Sequence, residues 1–154
     1  NDHLDALFNA SVDAGIALSA CVTATEAMGL GCCPISTIRN DAQAVSDLLK
    51  LPDHVFPVAA LAVGFPETHG RISPRLPLSV TVHWDRFDES GIAQALDAYD
   101  ALRAQPGKKV SQRDTATFGH ADPYVWSDGK TRQYAKPERE DFGAFIRSKG
   151  FKLE

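Results

Sequence analysis

Residues 29–40 read Gly-Leu-Gly-Cys-Cys-Pro-Ile-Ser-Thr-Ile-Arg-Asn and separate two helical patterns. The two glycines are typical of the end of a helix, where the backbone often needs a positive φ. Pro34 prevents an immediate return to helix. Asn40 or Asp41 is expected to cap the second helix by accepting a backbone N–H. The segment therefore predicts a tight corner, which either holds the polar edge of a flat ligand or only turns the chain; the residues alone favour the turn.

The composition is that of one globular domain. The 154 residues are 44% hydrophobic and 23% charged, which is enough for a sizeable core. The net charge of −4 and the pI near 5.7 disfavour a basic surface for nucleic acid. No apolar run is expected to reach the roughly 18–20 residues of a membrane span. Three cysteines do not form a disulfide framework. We therefore expect a cytoplasmic protein, with residues 1–154 as a single domain and neither nucleic acid nor membrane as a partner.

An alanine stripe dominates the first helical pattern, which extends from Asp2 to Met28. Small side chains at steps of three and four residues let another helix approach closely. The stripe predicts a central core helix, and a helix this long and apolar also suits the core of a dimer. Its members are Ala6, Ala10, Ala14, Ala17, Ala20, Ala24 and Ala27.

Beyond the first helix, helical and strand patterns follow one another. A continuous apolar run over 55–63 predicts a central strand covered on both faces. Strict alternation over 78–84 predicts a half-buried strand. Residues 105–122, rich in glycine and polar side chains, are expected to form a mobile surface loop. Further helices are predicted over residues 41–51, 91–104 and 137–148.

The sequence contains no motif of the common catalytic or metal sites. Adjacent Cys32 and Cys33 lack the paired spacing of a zinc site, so buried free thiols and no metal are expected. The five histidines show neither triad-like nor ligand-like spacing. GxSxG, P-loop and GxGxxG motifs do not occur, which leaves hydrolase, phosphoryl-transfer and Rossmann functions without support.

Basic loop residues are the remaining candidates for ligand binding. Arg71 and Arg75 lie in the loop before the second predicted strand. A fixed arginine can bind phosphate through two parallel hydrogen bonds. The alternative is a solvated surface charge, which the spacing alone favours. The same two alternatives apply to three cations of the polar loop, Lys108, Lys109 and Arg113.

Taken in order, these segments resemble the flavin-dependent nitroreductase superfamily, and most of all its NADPH-preferring nitroreductase and flavin reductase branch. The resemblance covers nearly the whole chain. Its ordered combination is more specific than any single motif. It is carried by Gly-Leu-Gly-x-x-x-Ile-x-x-Ile-Arg-Asn at 29–40, Leu-Leu-Lys-Leu-Pro-x-His-Val at 48–55, an apolar run closing on Gly-Phe-Pro at 58–66, Pro-Arg-Leu-Pro at 74–77, Trp-Ser-Asp at 126–128 and Lys-Gly-Phe at 149–151.

The resemblance implies an α+β fold with a mixed central sheet flanked by helices and a long central dimerisation helix. It further implies an obligate homodimer that holds FMN in a cleft between its subunits. Hydride passes from NADPH or NADH to FMN, and then to nitroaromatics, quinones or free flavin, so no catalytic side chain is expected. The implied residues beside the isoalloxazine ring are Pro34, Ile35, Ser36 and Thr37.

The implied phosphate contact is Arg75, with Ser73 at a position where the family often has lysine. The extra phosphate of NADPH is expected to pair with Lys108, Lys109 or Arg113.

The chain departs from the family pattern at its N-terminal end. The Arg-Ser-x-Arg motif that binds phosphate near the N-terminus of such proteins is not found, nor are the elements that precede the alanine-rich helix. The chain therefore resembles the C-terminal two-thirds of such a protein, with the rest either missing from this sequence or on another chain. Residues 123–154 correspond to a C-terminal extension. Two alternatives stay open: a non-catalytic dimerisation scaffold, and a flavin-binding protein without turnover.

Overall fold

The computed structural model describes residues 3–68, 70–104 and 111–154. The chain divides into two compact units. The first comprises Asn1–His69 and Glu138–Glu154, and the second comprises Gly70–Pro137. Within the described ranges, all strand residues belong to the first unit.

Helix α1 (Leu4–Ala27) confirms the first helical pattern, and Gly29 follows it with a φ of +74°. Only Thr25 of this helix is buried, whereas Phe8 and Ile16 are each 64% exposed. The expectation of a core helix is therefore wrong for the single chain, because the described residues leave most of its apolar side chains exposed or only half-buried. A dimer core at this helix stays a prediction.

The length and composition of α1 would suffice to cross a membrane. It has 24 residues and a window with a mean hydropathy of 1.4. The expectation that no apolar segment reaches membrane length is wrong by this measure. The core helix of a soluble protein passes the same test, so the finding is weak evidence for a membrane.

The predicted corner forms strand β1 (Gly31–Ile35), which pairs antiparallel with β2 (Ala60–Gly64). Pro34 lies opposite Leu61 in this two-stranded sheet. A 3-10 helix, Thr37–Asp41, follows the strand. The corner prediction is wrong at residues 31–35, because pairing with a segment some 30 residues away supplies hydrogen bonds that no local signal reveals.

Strand β2 is shorter than the apolar run that predicted it. Residues 55–59 precede it without strand structure, and Ala62 and Val63 are exposed. The expectation that both faces are covered is thus wrong for the described chain. Two strands have too few neighbours to bury a continuous apolar run.

Helix α2 (Ala42–Leu49) begins where capping was expected, since the Asp41 side chain accepts the N–H of Ala44 at 2.9 Å. The helix ends at Lys50, which takes a left-handed conformation with φ of 51°. It therefore stops before Pro52, and the local start and stop signals placed it well.

The core of the first unit is built around helix α6 (Phe142–Ser148), which begins five residues after Pro137. Phe145 and Ile146 are buried, and Ile146 is only 2% exposed. Gly150 ends the helix with a φ of +88°. The buried cluster consists of Ala42, Phe145, Ile146 and Phe151, with Leu7, Phe56, Phe142 and Leu153 packed against it.

The second unit contains α3 (Ile92–Arg103), α4 (Thr115–Phe118) and α5 (Trp126–Tyr134). Buried Asp100 accepts hydrogen bonds from the backbone N–H and the hydroxyl of Ser127, which ties α3 to α5. Helix α3 confirms its prediction. Helix α4 falls inside the predicted loop, whose residues 105–110 lie outside the described ranges.

The strand predicted over 78–84 is wrong. Leu78–Val80 form a 3-10 helix, and Trp84 is 84% exposed. An alternating pattern forms a strand only where it can pair with a neighbouring strand. The described part of this unit contains no such strand.

The cysteines also differ from expectation. All three are free, but Cys21 and Cys33 are exposed and Cys32 is half-buried. The prediction of buried thiols at 32 and 33 is wrong because the short sheet that carries them is open to solvent.

Candidate functional site

The segment expected beside a flavin ring starts at the end of β1. Ile35 is the last strand residue and is half-buried, whereas Pro34, Ser36 and Thr37 are exposed. The carbonyl of Ser36 accepts the N–H of Arg39 at 3.2 Å, which closes the turn into the 3-10 helix. The segment therefore presents two hydroxyls and a proline ring to solvent from a fixed turn.

Arg39 holds this turn to the chain that leads into β2. Its guanidinium donates to the carbonyl of Val58. Burial, and after it the nearby Arg139 guanidinium, lowers the pKa of Arg39. The Nε of Arg139 is buried without a hydrogen-bond partner among the described residues, and its Nη1 lies 3.5 Å from a carboxylate oxygen of Glu138. Both arginines belong to the first unit.

The second candidate segment is the loop from Ser73 to Arg75 in the other unit. Buried Tyr99 of α3 donates its hydroxyl hydrogen to the carbonyl of Pro74 at 2.8 Å. The same hydroxyl accepts from Nη1 of Arg103 at 3.2 Å. The loop backbone is therefore held at its middle residue.

Arg75 itself is exposed, and no residue in the described ranges accepts a hydrogen bond from its guanidinium. Ser73 is exposed as well. An arginine whose backbone is held and whose head group stays free is suited to bind a phosphate from solution.

Arg113 is the third candidate, and its peptide groups are held on both sides. Its N–H donates to the hydroxyl oxygen of Tyr124 at 3.2 Å, and its carbonyl accepts from Nη1 of Arg132 at 3.0 Å. The side chain is exposed and makes no hydrogen bond to another described residue. Sequence reasoning placed this residue in a mobile loop; the structure shows that its backbone is tied to α5.

The candidate residues for ligand binding fall in two different units of the structure. Pro34, Ile35, Ser36 and Thr37 belong to the first unit, and Ser73, Arg75 and Arg113 belong to the second. Lys108 and Lys109 lie outside the described residues. Within the described ranges, no three His, Cys, Asp or Glu side chains come together as they would around a metal ion.

Several residues that shape these segments were not found from the sequence. One is Tyr99, whose hydroxyl holds Pro74 although its position in the helical pattern indicates only an apolar contact. Arg39 stands inside the quoted motif but carried no role. Arg132 and Tyr124 are two more, because their partners are backbone groups 19 and 11 residues away, which no local pattern reveals.

Comparison with known proteins decides the family. The model described as "Nitroreductase family" matches residues 2–65, and "Nitroreductase family, C-terminal domain" matches residues 73–154. The chain belongs to the nitroreductase family. The sequence resemblance is thus confirmed along almost its full extent.

Relatives within this family support the fold. The "FMN reductase [NAD(P)H]" of Bacillus subtilis is 29% identical over 98% of this chain and 58% of its own length. The solved structure of B. megaterium NfrA2 is 33% identical, with a TM-score of 0.84, over 99% of this chain and 59% of that one. The NADPH:FMN oxidoreductase from Vibrio harveyi, solved with NAD⁺, is 28% identical with a TM-score of 0.79 over 97% and 58%. The predicted α+β nitroreductase-like fold is confirmed.

The chain spans 58% of the length of the Bacillus subtilis relative. The shared part holds the β1 turn, the Arg75 loop and Arg113.

Proposed function

We propose that the protein is an FMN-dependent oxidoreductase that moves hydride from NAD(P)H to FMN and on to nitroaromatics, quinones or free flavin. Membership of the nitroreductase family supports this proposal. The names of its relatives, which include an NADPH-flavin oxidoreductase and an oxygen-insensitive NADPH nitroreductase, support it further.

The observation that carries the proposal is the exposed guanidinium of Arg75 on a loop whose backbone is held. Its loop is held at Pro74 by buried Tyr99, while its guanidinium is exposed and has no acceptor among the described residues. The guanidinium therefore does not stabilise the described fold through a hydrogen bond and is open to a ligand. Arg75 instead fits the dianionic phosphate of a flavin mononucleotide.

The chain's own residues would bind and orient the flavin rather than react. When bound, FMN supplies the hydride acceptance and the electron transfer. Arg75 would neutralise its phosphate. The exposed hydroxyls of Ser36 and Thr37 would hydrogen-bond polar atoms of the ring, and Pro34 and Ile35 would offer it apolar contact.

Arg113 would bind the coenzyme by pairing with the 2′-phosphate that distinguishes NADPH from NADH. Its fixed backbone and exposed guanidinium support this assignment. Lys108 and Lys109 are proposed for the same role from their place in the sequence.

A second copy of the chain would cover α1. Its exposed apolar side chains recur four residues apart at Leu4, Phe8, Val12 and Ile16. A continuous apolar ridge of this kind marks an interaction surface. The proposed enzyme is therefore a homodimer that meets along this helix.

Flavin retention tests the assignment of Arg75. The purified protein is expected to absorb near ~450 nm, to bleach with NADPH and to recover with a quinone. Arg75→Gln removes charge-assisted hydrogen bonds worth about 1.5–3 kcal/mol, so FMN affinity should fall by roughly ten- to hundredfold. Arg86→Gln removes the same charge from an exposed arginine of the same unit and serves as the control.

The possible results separate the proposal from its alternatives. A protein that takes up no flavin would point to a dimerisation scaffold. A yellow protein that NADPH does not bleach would point to flavin binding without turnover. An Arg75→Gln variant that retains FMN like the Arg86→Gln control would refute the phosphate assignment alone.

A further inference from the structure

We propose that Arg132 and Tyr124 are positioning residues for the coenzyme, which fix the backbone of Arg113 so that its guanidinium can pair with the 2′-phosphate of NADPH. This inference rests on the proposed function, because it assumes that Arg113 meets that phosphate.

The first argument is the density of contacts around one peptide. Nη1 of Arg132 donates to the carbonyls of Arg113 at 3.0 Å and of Gly119 at 2.8 Å. One guanidinium nitrogen thus joins the two ends of the segment that contains α4. The hydroxyl of Tyr124 accepts the N–H of Arg113 at 3.2 Å from the other side.

The second argument is that Arg132 is itself held in place. Its guanidinium carbon lies 5.2 Å from the ring centroid of Tyr124 and 5.7 Å from that of Phe118. Cation–π contacts of this length stabilise a guanidinium in one orientation. Tyr124 therefore acts twice, as acceptor for the Arg113 N–H and as a surface for Arg132.

The third argument is the space left for Tyr124. Gly129 of α5 lies beside its hydroxyl, and a Cβ at this position would come within 3.1 Å of the hydroxyl oxygen.

A second pair of hydrogen bonds closes the same segment, since the side-chain amide of Gln112 exchanges two hydrogen bonds with the backbone of Ala121 at 2.8 and 2.9 Å.

These contacts order the backbone of Arg113 before any ligand arrives, yet none of them uses its side chain. Ordering a residue in advance lowers the entropy that binding would otherwise cost. The arrangement therefore serves a ligand that meets Arg113, and a change at Arg132 or Tyr124 should reach the ligand only through Arg113.

Calorimetric titration of the purified protein with adenosine 2′,5′-bisphosphate tests the inference without flavin chemistry. Adenosine 5′-monophosphate is the matched probe that lacks the 2′-phosphate. Arg113→Gln should weaken binding of the bisphosphate by about tenfold, because one charged hydrogen-bond donor is lost. Arg132→Gln and Tyr124→Phe should each weaken it by at least about threefold, while binding of the monophosphate is unchanged.

Tyr124→Phe keeps the ring and removes only the hydroxyl. It therefore tests the inference even if the Arg132→Gln variant does not fold. Arg147→Gln, at an exposed position of α6 in the other unit, is the control for loss of one positive charge. A merely structural defect would weaken both probes equally and would overturn the inference.

The outcomes distinguish this inference from the proposal beneath it. Suppose that Arg113→Gln weakens bisphosphate binding, but that the bisphosphate affinities of Arg132→Gln and Tyr124→Phe stay within about twofold of the wild-type value. The positioning role is then refuted and the coenzyme assignment stands. If Arg113→Gln itself has no effect, the coenzyme assignment is refuted and the positioning role with it.

Discussion

Removing one hydroxyl from α3 should weaken both the second unit and its hold on FMN. In Tyr99→Phe, the carbonyl of Pro74 loses a donor at 2.8 Å and Nη1 of Arg103 loses an acceptor at 3.2 Å. Each hydrogen bond contributes about 0.5–1.5 kcal/mol net, so the free energy of unfolding should fall by about 1–3 kcal/mol. The ring of Tyr99 stays in place, since its contact with Trp126 at a centroid distance of 4.9 Å does not involve the hydroxyl.

The functional part of this prediction concerns Arg75, the residue after Pro74. Freed from Tyr99, the loop must order its backbone when the phosphate binds, so FMN affinity should fall by about three- to tenfold without loss of the guanidinium. Urea denaturation measures the stability, and quenching of flavin fluorescence measures the affinity.

Tyr134→Phe is the matched control, because Tyr134 is 76% exposed and its hydroxyl makes no hydrogen bond to another described residue. Reduced stability with unchanged FMN affinity would refute the link between Pro74 and Arg75. Unchanged stability would refute the hydrogen bonds themselves.

Three further predictions concern the core, a charge pair and the exposed helix. Ile146→Ala should lower the free energy of unfolding by about 2–5 kcal/mol and Ile146→Val by about 0.5–1.5 kcal/mol, both by urea denaturation; equal effects would contradict its tight burial. The hydrogen bond from Lys136 lowers the pKa of Asp114, so its stabilisation is full above the ordinary carboxyl pKa and is lost as the pH falls through the lowered one. Lys136→Gln should raise that pKa in an NMR titration, and an unmoved pKa would exclude the pair as its cause. Phe8→Glu should yield monomers in sedimentation while Leu102→Glu, at the same 64% exposure, should not; a dimeric Phe8→Glu variant would refute the α1 interface.

Helices with local signals were predictable from the sequence, and strands were not. Asp41 caps α2 as its residue type and place predict, because a cap needs only the next few residues. Residues 78–84 alternate as a strand should but form none, because a strand needs a partner from elsewhere in the chain or from another chain. The same physics explains β1, which local signals described as a corner although Ala60–Gly64 pairs with it.

Helix α5 shows the complementary failure. Its sequence is polar, and apolar periodicity does not reveal it. Polar contacts to its first turn stabilise it instead: the Asp128 carboxylate accepts the N–H of Val125 at 3.2 Å, and Asp100 accepts that of Ser127 at 3.0 Å. The first contact is local and the second joins residues 27 positions apart, and a pattern of hydrophobic residues shows neither.

The candidate site was predictable only where the family motif names its residues. Arg75 and the segment from Pro34 to Thr37 came from the resemblance, since spacing alone favoured a solvated loop and a simple turn. The structure adds what spacing cannot supply, namely which backbone groups are held and which head groups stay free.

Two tyrosine hydroxyls in the second unit each form a hydrogen bond with the backbone beside a candidate arginine. Tyr99 fixes the peptide next to Arg75, and Tyr124 fixes that of Arg113, while both guanidinium groups remain without an acceptor among the described residues. A held backbone beside an unpaired guanidinium lowers the entropy that binding an anion would cost. If the two arginines serve different phosphates, Tyr99→Phe should weaken FMN and spare adenosine 2′,5′-bisphosphate, and Tyr124→Phe should do the reverse. Variants that weaken both ligands alike would show a general loosening of the unit, and the separate roles of Arg75 and Arg113 would be refuted.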